Sequence, residues 1–205
     1  IQSALPGKPV NTTLFQVYLP GTETTIGVNG ENISTFPYSA RLEKGKQYLS
    51  DGINNYFYVK KGDVIVSKSL QHSFDEETDE PTQNNFALAA IDHGVTPRNA
   101  DYEYMVLVQP DEDILEKTVD GFKSAKKSPY QVIRQDSAAH IVFDKTTKTT
   151  GYALFEAGNL NTATDILYNS MPCMIMTSKS KKLTLSILDP DLHFYEGTAD
   201  IKYDA

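Results

Sequence analysis

The polarity pattern between Tyr102 and Val108 is that of a half-buried β-strand. Aromatic and β-branched residues occupy every second position in this stretch, and a period of two is typical of strands. Turn signals such as Asn29-Gly30 recur along the chain at intervals of roughly 8–12 residues, the spacing of an antiparallel sandwich or barrel. The pattern therefore predicts an all-β fold built from antiparallel β-sandwich sheets.

Residues 1–110 carry the strands of a first β unit. Asn29-Gly30 predicts one hairpin turn, and Lys60–Asp63 predicts a second hairpin between two short apolar runs. His93 to Pro97 is predicted to be a turn, because glycine permits positive φ and proline fixes φ. Further strands are predicted at Thr12–Leu19, Ser67–Phe74 and Phe86–Ile91.

Residues 111–127 show the helical periodicity of the chain. Asp111 is a suitable N-cap, and the helix must end before Ser128-Pro129 because proline disfavours helical geometry in the residue that precedes it. Apolar residues form one stripe, whose members are Ile114, Leu115, Val119 and Phe122. We expect this stripe to be buried and the lysines at the end, Lys123, Lys126 and Lys127, to be in solvent. The segment is predicted to bridge two β units.

Residues 128–205 are predicted to form a second, C-terminal β unit. Its strands are expected at Tyr130–Gln135, Ala138–Phe143, Thr150–Phe155, Cys173–Thr177 and Leu183–Leu188. The last alternating run, Ala199–Tyr203, ends without a following turn, so we expect the unit to continue beyond this sequence.

Composition and charge restrict the classes of function that this chain can have. The net charge is −8, with 8 basic and 13 acidic residues in 1–110 and 11 and 14 in the remainder. Neither half has the basic excess of a nucleic-acid binder, and the sign disfavours this piece as the main docking surface for a sulfated polyanion. Cys173 stands alone in an apolar run and is interpreted as a packed small hydrophobe. No apolar run of about 18 residues predicts a membrane span.

His93 and Arg98 are the candidate substrate-binding residues. Asp92-His93 has the residue types of a base and its orienting carboxylate, but neighbouring strand residues point to opposite faces, so the two side chains should not meet. A structural role for His93 within the turn is the alternative. Arg98 has the chemistry to hold a carboxylate or sulfate, although Asp101 and Glu103 are expected to be nearby partners.

Acidic residues between Asp75 and Gln83 suggest either a solvated loop or a calcium site. Asp75, Glu77 and Asp79 supply the carboxylate oxygens that Ca²⁺ prefers, but the EF-hand spacing is absent. Asp191 and His193 are a second, weaker metal candidate without a third ligand. The sequence contains no zinc spacing, phosphate-binding glycine loop or Gly-x-Ser-x-Gly element.

Several segments resemble, in order, the polysaccharide lyases of family 8, which include the hyaluronate and chondroitin lyases. Among these the chain is most similar to the chondroitinase ABC type. The segments that carry the resemblance are Thr12–Gln16, Ile91–Leu107, Tyr130–Arg134, His140–Lys145, Thr150–Ala153 and Asp189–Leu192. The resemblance implies that residues 1–110 are the end of a central β-sandwich domain and residues 128–205 most of a C-terminal β domain.

The resemblance also implies an activity, namely β-elimination of uronic-acid-containing glycosaminoglycans. Such a reaction needs groups that neutralise the uronate carboxylate, a base and an acid. The family is expected to hold these groups on an N-terminal helical toroid, and none of those segments matches this chain. We therefore expect no catalytic residue here and a secreted or periplasmic parent enzyme. No cofactor is expected, with a structural divalent cation such as Ca²⁺ as the alternative.

Two functions remain open from the sequence. The first is a C-terminal β portion of a glycosaminoglycan lyase that walls the substrate cleft, stabilises the enzyme and packs with the N-terminal catalytic domain of the same protein. The second is an independent β-sandwich module for carbohydrate binding or adhesion. A concave face lined with tyrosines would favour the second, and the 12 tyrosines are enough to form one.

Overall fold

The computed structural model describes residues 7–42, 45, 47–123 and 128–190. Strands make up 57% of the structure and helix 6%, which confirms the predicted all-β class. The chain divides into two compact units, Ile1–Val119 and Asp120–Ala205, so the division lies within the predicted bridging helix. None of the described residues forms a helix long and apolar enough to span a membrane.

The residues of unit 1 that the structure describes form two antiparallel sheets. Sheet A has the strand order β1-β8-β7-β4 and sheet B the order β3-β2-β5-β6-β9. The strands are β1 (Pro9–Tyr18), β2 (Ile26–Val28), β3 (Glu31–Ile33), β4 (Tyr38–Leu42), β5 (Gln47–Ser50), β6 (Asn55–Lys61), β7 (Asp63–Phe74), β8 (Pro81–Val95) and β9 (Glu103–Val108). The predicted Asn29-Gly30 hairpin joins β2 to β3, and both of its residues have positive φ.

Apolar side chains from the two sheets of unit 1 meet in one core. Phe15 on β1 and Phe57 on β6 have ring centroids 5.2 Å apart, and alternating residues of β7 and β8 complete the cluster. The alternation follows from the pleat, which sends every second side chain to the same face. The fully or nearly buried members include Leu19, Ile26, Leu49, Val59, Val64, Val66, Ala89 and Ile91.

The predicted hairpin at Lys60–Asp63 is wrong. β6 and β7 flank Gly62 but belong to different sheets, so the chain crosses from sheet B to sheet A at this point. Gly62 has a φ of +122°, and a Cβ there would lie 2.5 Å from Cγ2 of Ile91. Glycine is therefore needed for close passage over the core, not for a two-stranded turn.

Two predicted loops are shorter than expected. β8 begins at Pro81, so only residues 75–80 connect it to β7, and the two strands pair from Phe74↔Pro81 to Asp63↔Asp92. β8 also continues through His93 to Val95, past the predicted start of the turn. Gly94 has a φ of +79°, and it lies within the strand because the pairing of β8 with β1 is irregular at this point.

The helix α1 (Glu112–Lys123) begins where the sequence predicts it. The Asp111 carboxylate accepts a hydrogen bond from the Ile114 N–H at 2.8 Å, which is N-cap geometry. Phe122 is buried and Leu115 and Val119 are partly buried, but Ile114 is 49% exposed. The expected burial of Ile114 is wrong because it lies at the polar edge of the stripe. The expected exposure of the terminal lysines concerns side chains outside the described part.

The described part of unit 2 contains one large antiparallel sheet. Sheet C has the order β10-β11-β12-β15-β16, and a two-stranded sheet pairs β13 with β14. The strands are β10 (Tyr130–Gln135), β11 (Ala139–Asp144), β12 (Thr149–Leu154), β13 (Gly158–Asn159), β14 (Tyr168–Asn169), β15 (Cys173–Lys179) and β16 (Leu183–Leu188). The five predicted strands of this region are confirmed within two residues at each end. The predicted strand at Ala199–Tyr203 lies outside the described residues.

The core of unit 2 lies on one face of sheet C. Inward residues of β11, β12 and β15 pack with Leu160, and Ile133 and Ile166 adjoin them. Leu160 and Ile166 come from the segment between β12 and β15, so this segment covers the middle of the sheet. Cys173 is buried in this cluster, and burial raises the pKa of its thiol, as suits a packed hydrophobe rather than a nucleophile.

Candidate functional site

His93 lies near the end of β8 on the core side of sheet A. Ile91 and His93 share a face because they are two residues apart on one strand. Thr12 pairs with Ile91 across β1 and β8, which brings its hydroxyl to the same face. Thr12 Oγ1 and His93 Nε2 are 2.8 Å apart and form a hydrogen bond. The pairing of β1 with β8 therefore fixes the His93 imidazole through a hydrogen bond at Nε2.

Two tyrosines extend this site. The rings of His93 and Tyr102 are 5.2 Å apart and tilted by 47°, and Tyr102 stacks on Tyr104 at 6.0 Å and 20°. Burial lowers the pKa of His93, which favours the neutral ring near neutral pH. The site thus places the His93 imidazole beside the Tyr102 ring, which in turn stacks on Tyr104, and aromatic surfaces of this kind can pack against a sugar ring.

Asp92 has different partners on the opposite face of sheet A, as the strand alternation predicts. Its carboxylate accepts hydrogen bonds from Arg41 Nη1 at 2.5 Å and from the Gly94 N–H at 2.8 Å. Arg41 Nη2 also bonds Asp63 Oδ2 at 3.2 Å. The Arg41 guanidinium, followed by the Gly94 amide, holds the pKa of Asp92 below its usual range. Asp92 therefore does not orient His93 as a catalytic dyad would.

Arg98 is exposed in the connection between β8 and β9. Its expected partners are engaged elsewhere, because Glu103 pairs with Lys60 at 2.7 Å and Asp101 pairs with Lys61. Arg98 has no hydrogen bond or ion pair with any residue of the described part. Substrate contacts by His93 and Arg98 stay predictions, and the two side chains have separate surroundings.

The acidic stretch after β7 forms the tip of the β7–β8 hairpin. Asp75 Oδ1 accepts hydrogen bonds from the N–H groups of Glu77 and Thr78 and from the Thr78 hydroxyl. Thr78 and Glu77 thereby lower the pKa of Asp75. Within residues 7–42, 47–123 and 128–190, no group of three potential ligands is arranged to hold a metal ion. Calcium binding at Asp75, Glu77 and Asp79 stays a prediction; Asp191 and His193 lie outside the described residues.

Sequence reasoning missed Lys68. This side chain is fully buried, and its Nζ donates to the carbonyl oxygens of Thr22, Ile33 and Ser34 at 2.9–3.3 Å. Burial lowers the pKa of Lys68. A signal was available, because position 68 continues the inward-facing series of Val64 and Val66 on β7. The ammonium bonds one carbonyl of β3, one directly after β3 and one in the connection between β1 and β2, and so ties these segments to β7.

Curated relatives match nearly the whole chain. The "Chondroitin sulfate ABC endolyase" of Proteus vulgaris is 33% identical over 194 residues, which are 94% of this chain and 19% of the relative. The "Chondroitin sulfate ABC exolyase" of Proteus vulgaris is 33% identical over 196 residues, and that of Bacteroides thetaiotaomicron is 31% identical over 204. The chain thus spans about a fifth of the length of these relatives. No protein-family model matches it.

Solved lyase structures share the fold. A chondroitinase AC lyase aligns with a TM-score of 0.68 and 17% identity, over 92% of this chain and 27% of that one. A Paenibacillus xanthan lyase aligns with the same TM-score and 14% identity, over 88% of this chain and 18% of that one. At these identities the structural likeness concerns the fold alone. Taken with the curated relatives, it makes this chain a homologue, along almost all of its length, of one segment of the chondroitin sulfate ABC lyases.

Proposed function

We propose that this chain is the C-terminal β portion of a family 8 polysaccharide lyase that cleaves glycosaminoglycans. The identity of 33% over 194 residues to a chondroitin sulfate ABC endolyase carries the proposal. The parent enzyme would act on chondroitin sulfate, dermatan sulfate or hyaluronan by β-elimination at the uronic acid. As an enzyme that meets such polymers outside the cell, it would be secreted or periplasmic.

The role proposed for this portion is to wall the substrate cleft and to stabilise the enzyme. Elimination needs a group that neutralises the uronate carboxylate, a base for the C5 proton and an acid for the leaving oxygen. His93 and Tyr102 have suitable residue types for the last two roles, but His93 Nε2 already bonds Thr12. Arg98 is not bonded to either of them. These contacts support a structural role, with the catalytic groups in the N-terminal domain of the same protein.

Turnover by the 205-residue chain tests this division of labour. The pure chain is incubated with chondroitin sulfate and with hyaluronan, and the absorbance of the unsaturated uronate product is followed. We expect no product above the rate of a boiled control. Sustained turnover that is lost in His93→Ala would contradict the proposal, because it would locate the elimination in this portion.

The mass of the source protein tests the relation to a larger enzyme. A protein of roughly 100 kDa or more would fit a lyase of several domains, of which this 22.8 kDa chain is one part. A source protein of about 23 kDa that binds sugars without cleaving them would instead establish the independent module as the function.

A further inference from the structure

The outer face of sheet A combines aromatic, amide and hydroxyl side chains. The outer face is the side of the sheet opposite the core. The strand register determines which residues share it, because Gln16 pairs with Leu88 and Tyr18 with Phe86. From position 67 to 73 the outward residues of β7 are serines and one glutamine. From position 82 to 88 those of β8 are threonine, asparagine, phenylalanine and leucine. This part of the face is therefore uncharged and rich in hydrogen-bonding groups.

An aromatic pair stands at one side of the outer face. Tyr18 and Phe86 are cross-strand neighbours whose ring centroids are 6.0 Å apart at an interplanar angle of 69°. Tyr18 is 55% exposed, whereas its cross-strand neighbour Phe86 is partly buried. A large aromatic ring exposed on a sheet face offers a flat apolar surface with a polar hydroxyl at its end. Such a surface suits the apolar face of a pyranose ring.

An amide pair crosses the same face. Gln16 Nε2 on β1 donates to Gln71 Oε1 on β7 at 2.9 Å, so the two side chains reach across β8. Their remaining amide atoms, Gln16 Oε1 and Gln71 Nε2, form no further hydrogen bond with the described residues. One acceptor and one donor are thus held near each other and near the aromatic pair. Neighbouring hydroxyl groups of a sugar present the complementary pattern.

Charged residues on the outer face of sheet A lie away from these pairs. Arg41, Asp63 and Asp92 form one ion-paired group on the outer face, and Asp92 is six residues along β8 from Phe86, which is roughly 20 Å. The acidic hairpin tip begins at Asp75, four residues from Gln71 or about 13 Å. A ligand at the aromatic and amide pairs is therefore recognised by hydroxyls and ring faces rather than by ion pairs.

We propose that the outer face of sheet A binds a sugar chain, with Tyr18 stacking on a pyranose ring and the Gln16–Gln71 pair bonding its hydroxyls. A nucleic acid would need basic residues, and a protein partner would need a larger apolar patch. This surface adds to the proposed lyase function a sugar contact that takes no part in the elimination reaction. It depends on that proposal only for the choice of probe.

The test measures binding of an unsulfated chondroitin hexasaccharide to the full 205-residue chain. Amide chemical shifts are followed during titration of the parent, of Tyr18→Ala and of Gln71→Ala. Tyr168→Ala is the matched control, because Tyr168 is 59% exposed and lies on β14 in unit 2. We expect shifts at β1, β7 and β8 and at least about a fivefold weaker Kd for Tyr18→Ala. The control should bind like the parent, and thermal melting should show that all variants fold.

Two further measurements make the proposal specific. Raising the salt to about 0.5 M should change the Kd by less than about twofold, since no ion pair is involved. Chondroitin 4-sulfate hexasaccharide should bind no more tightly than the unsulfated probe. The proposal is overturned by the absence of shifts at about 10 mM probe, by equal binding of Tyr18→Ala and the parent, or by binding that disappears with salt. Whether the larger enzyme proposed above has lyase activity does not affect any of these binding results.

Discussion

Sheets B and C each have five antiparallel strands, yet their inner faces are covered very differently. Sheet A faces sheet B, and the shared core draws buried residues from β1, β2, β5, β6, β7 and β8. Sheet C has only the segment between β12 and β15 over its middle strands in the described part of unit 2. The core-side residues of its edge strand β16 are about half exposed, namely Leu183, Leu185 and Ile187.

The register shows that these exposed residues belong to the core side. Ile187 pairs with Ile175 and Leu185 with Thr177, and directly paired residues project to the same face. Ile175 and Thr177 are buried, whereas their partners one strand further out are not. Strand periodicity therefore determines which face of a strand carries apolar side chains. A second layer of packed structure determines whether that face is shielded from water.

Phe122→Ala should lower stability more than any other substitution considered, and it tests to which unit the helix belongs. Phe122 is only 6% exposed, so its truncation should cost about 3–5 kcal/mol of unfolding free energy. Urea unfolding monitored separately for the two units shows whether one transition or both move. Ile114→Ala is the control within the same helix and should cost no more than about 0.5 kcal/mol. Equal midpoints for Phe122→Ala and the parent would make α1 a simple linker.

Lys68→Met should destabilise unit 1 and leave unit 2 unchanged. The substitution keeps the length of the side chain but leaves the carbonyls of Thr22, Ile33 and Ser34 without their donor. The expected cost is about 2–3 kcal/mol, as for hydrogen bonds made by a charged group. Lys61→Met is the control, because the exposed ion pair of Lys61 with Asp101 should contribute less than about 1 kcal/mol. Equal stability of Lys68→Met and the parent would refute this role of the ammonium group.

Leu185→Lys should change association more than stability. Because Leu185 is half exposed on an uncharged edge strand, we expect a stability change within about 0.5 kcal/mol and less self-association in sedimentation velocity, since charges protect sheet edges. Thr184→Lys adds the same charge on the other face of β16. If both variants reduce association equally, the strand edge rather than the apolar face is responsible. If neither does, exposure of β16 has no effect on association.

His93→Gln should have the smallest effect, confined to mildly acidic solution. Burial lowers the pKa of His93, so below the unfolded value of about 6.5 the unfolded chain binds a proton more readily than the folded one. The stabilisation is complete above that pH and falls as the pH drops towards the folded pKa. The urea midpoint of unit 1 should therefore change less between about pH 7.5 and about pH 5.5 in His93→Gln than in the parent.

His72→Gln is the control for this measurement, because His72 is an exposed imidazole on β7. It should not reproduce the reduced pH dependence. Should His93→Gln and the parent lose stability equally on acidification, then the bond between His93 and Thr12 does not link proton binding to folding.

The sequence by itself determined the local elements of this protein. Asn29-Gly30 forms its hairpin, Asp111 caps the helix, and β10 and β16 have the predicted bounds. Cys173 is buried as its apolar neighbours indicate. These features depend on backbone conformation and side-chain period over a few residues, and neighbouring residues in the chain specify both.

Only the tertiary structure decided where each element is placed and what covers it. Gly62 marks a crossing between sheets, Lys68 is buried by carbonyls from three distant residues, and the strand alternation that buries Val66 leaves Leu185 half exposed. The pairing of Gln16 with Gln71 likewise joins strands 55 residues apart in the chain. Burial and hydrogen bonding of this kind depend on segments remote in sequence, so a local pattern gives the face of a strand but not its partner.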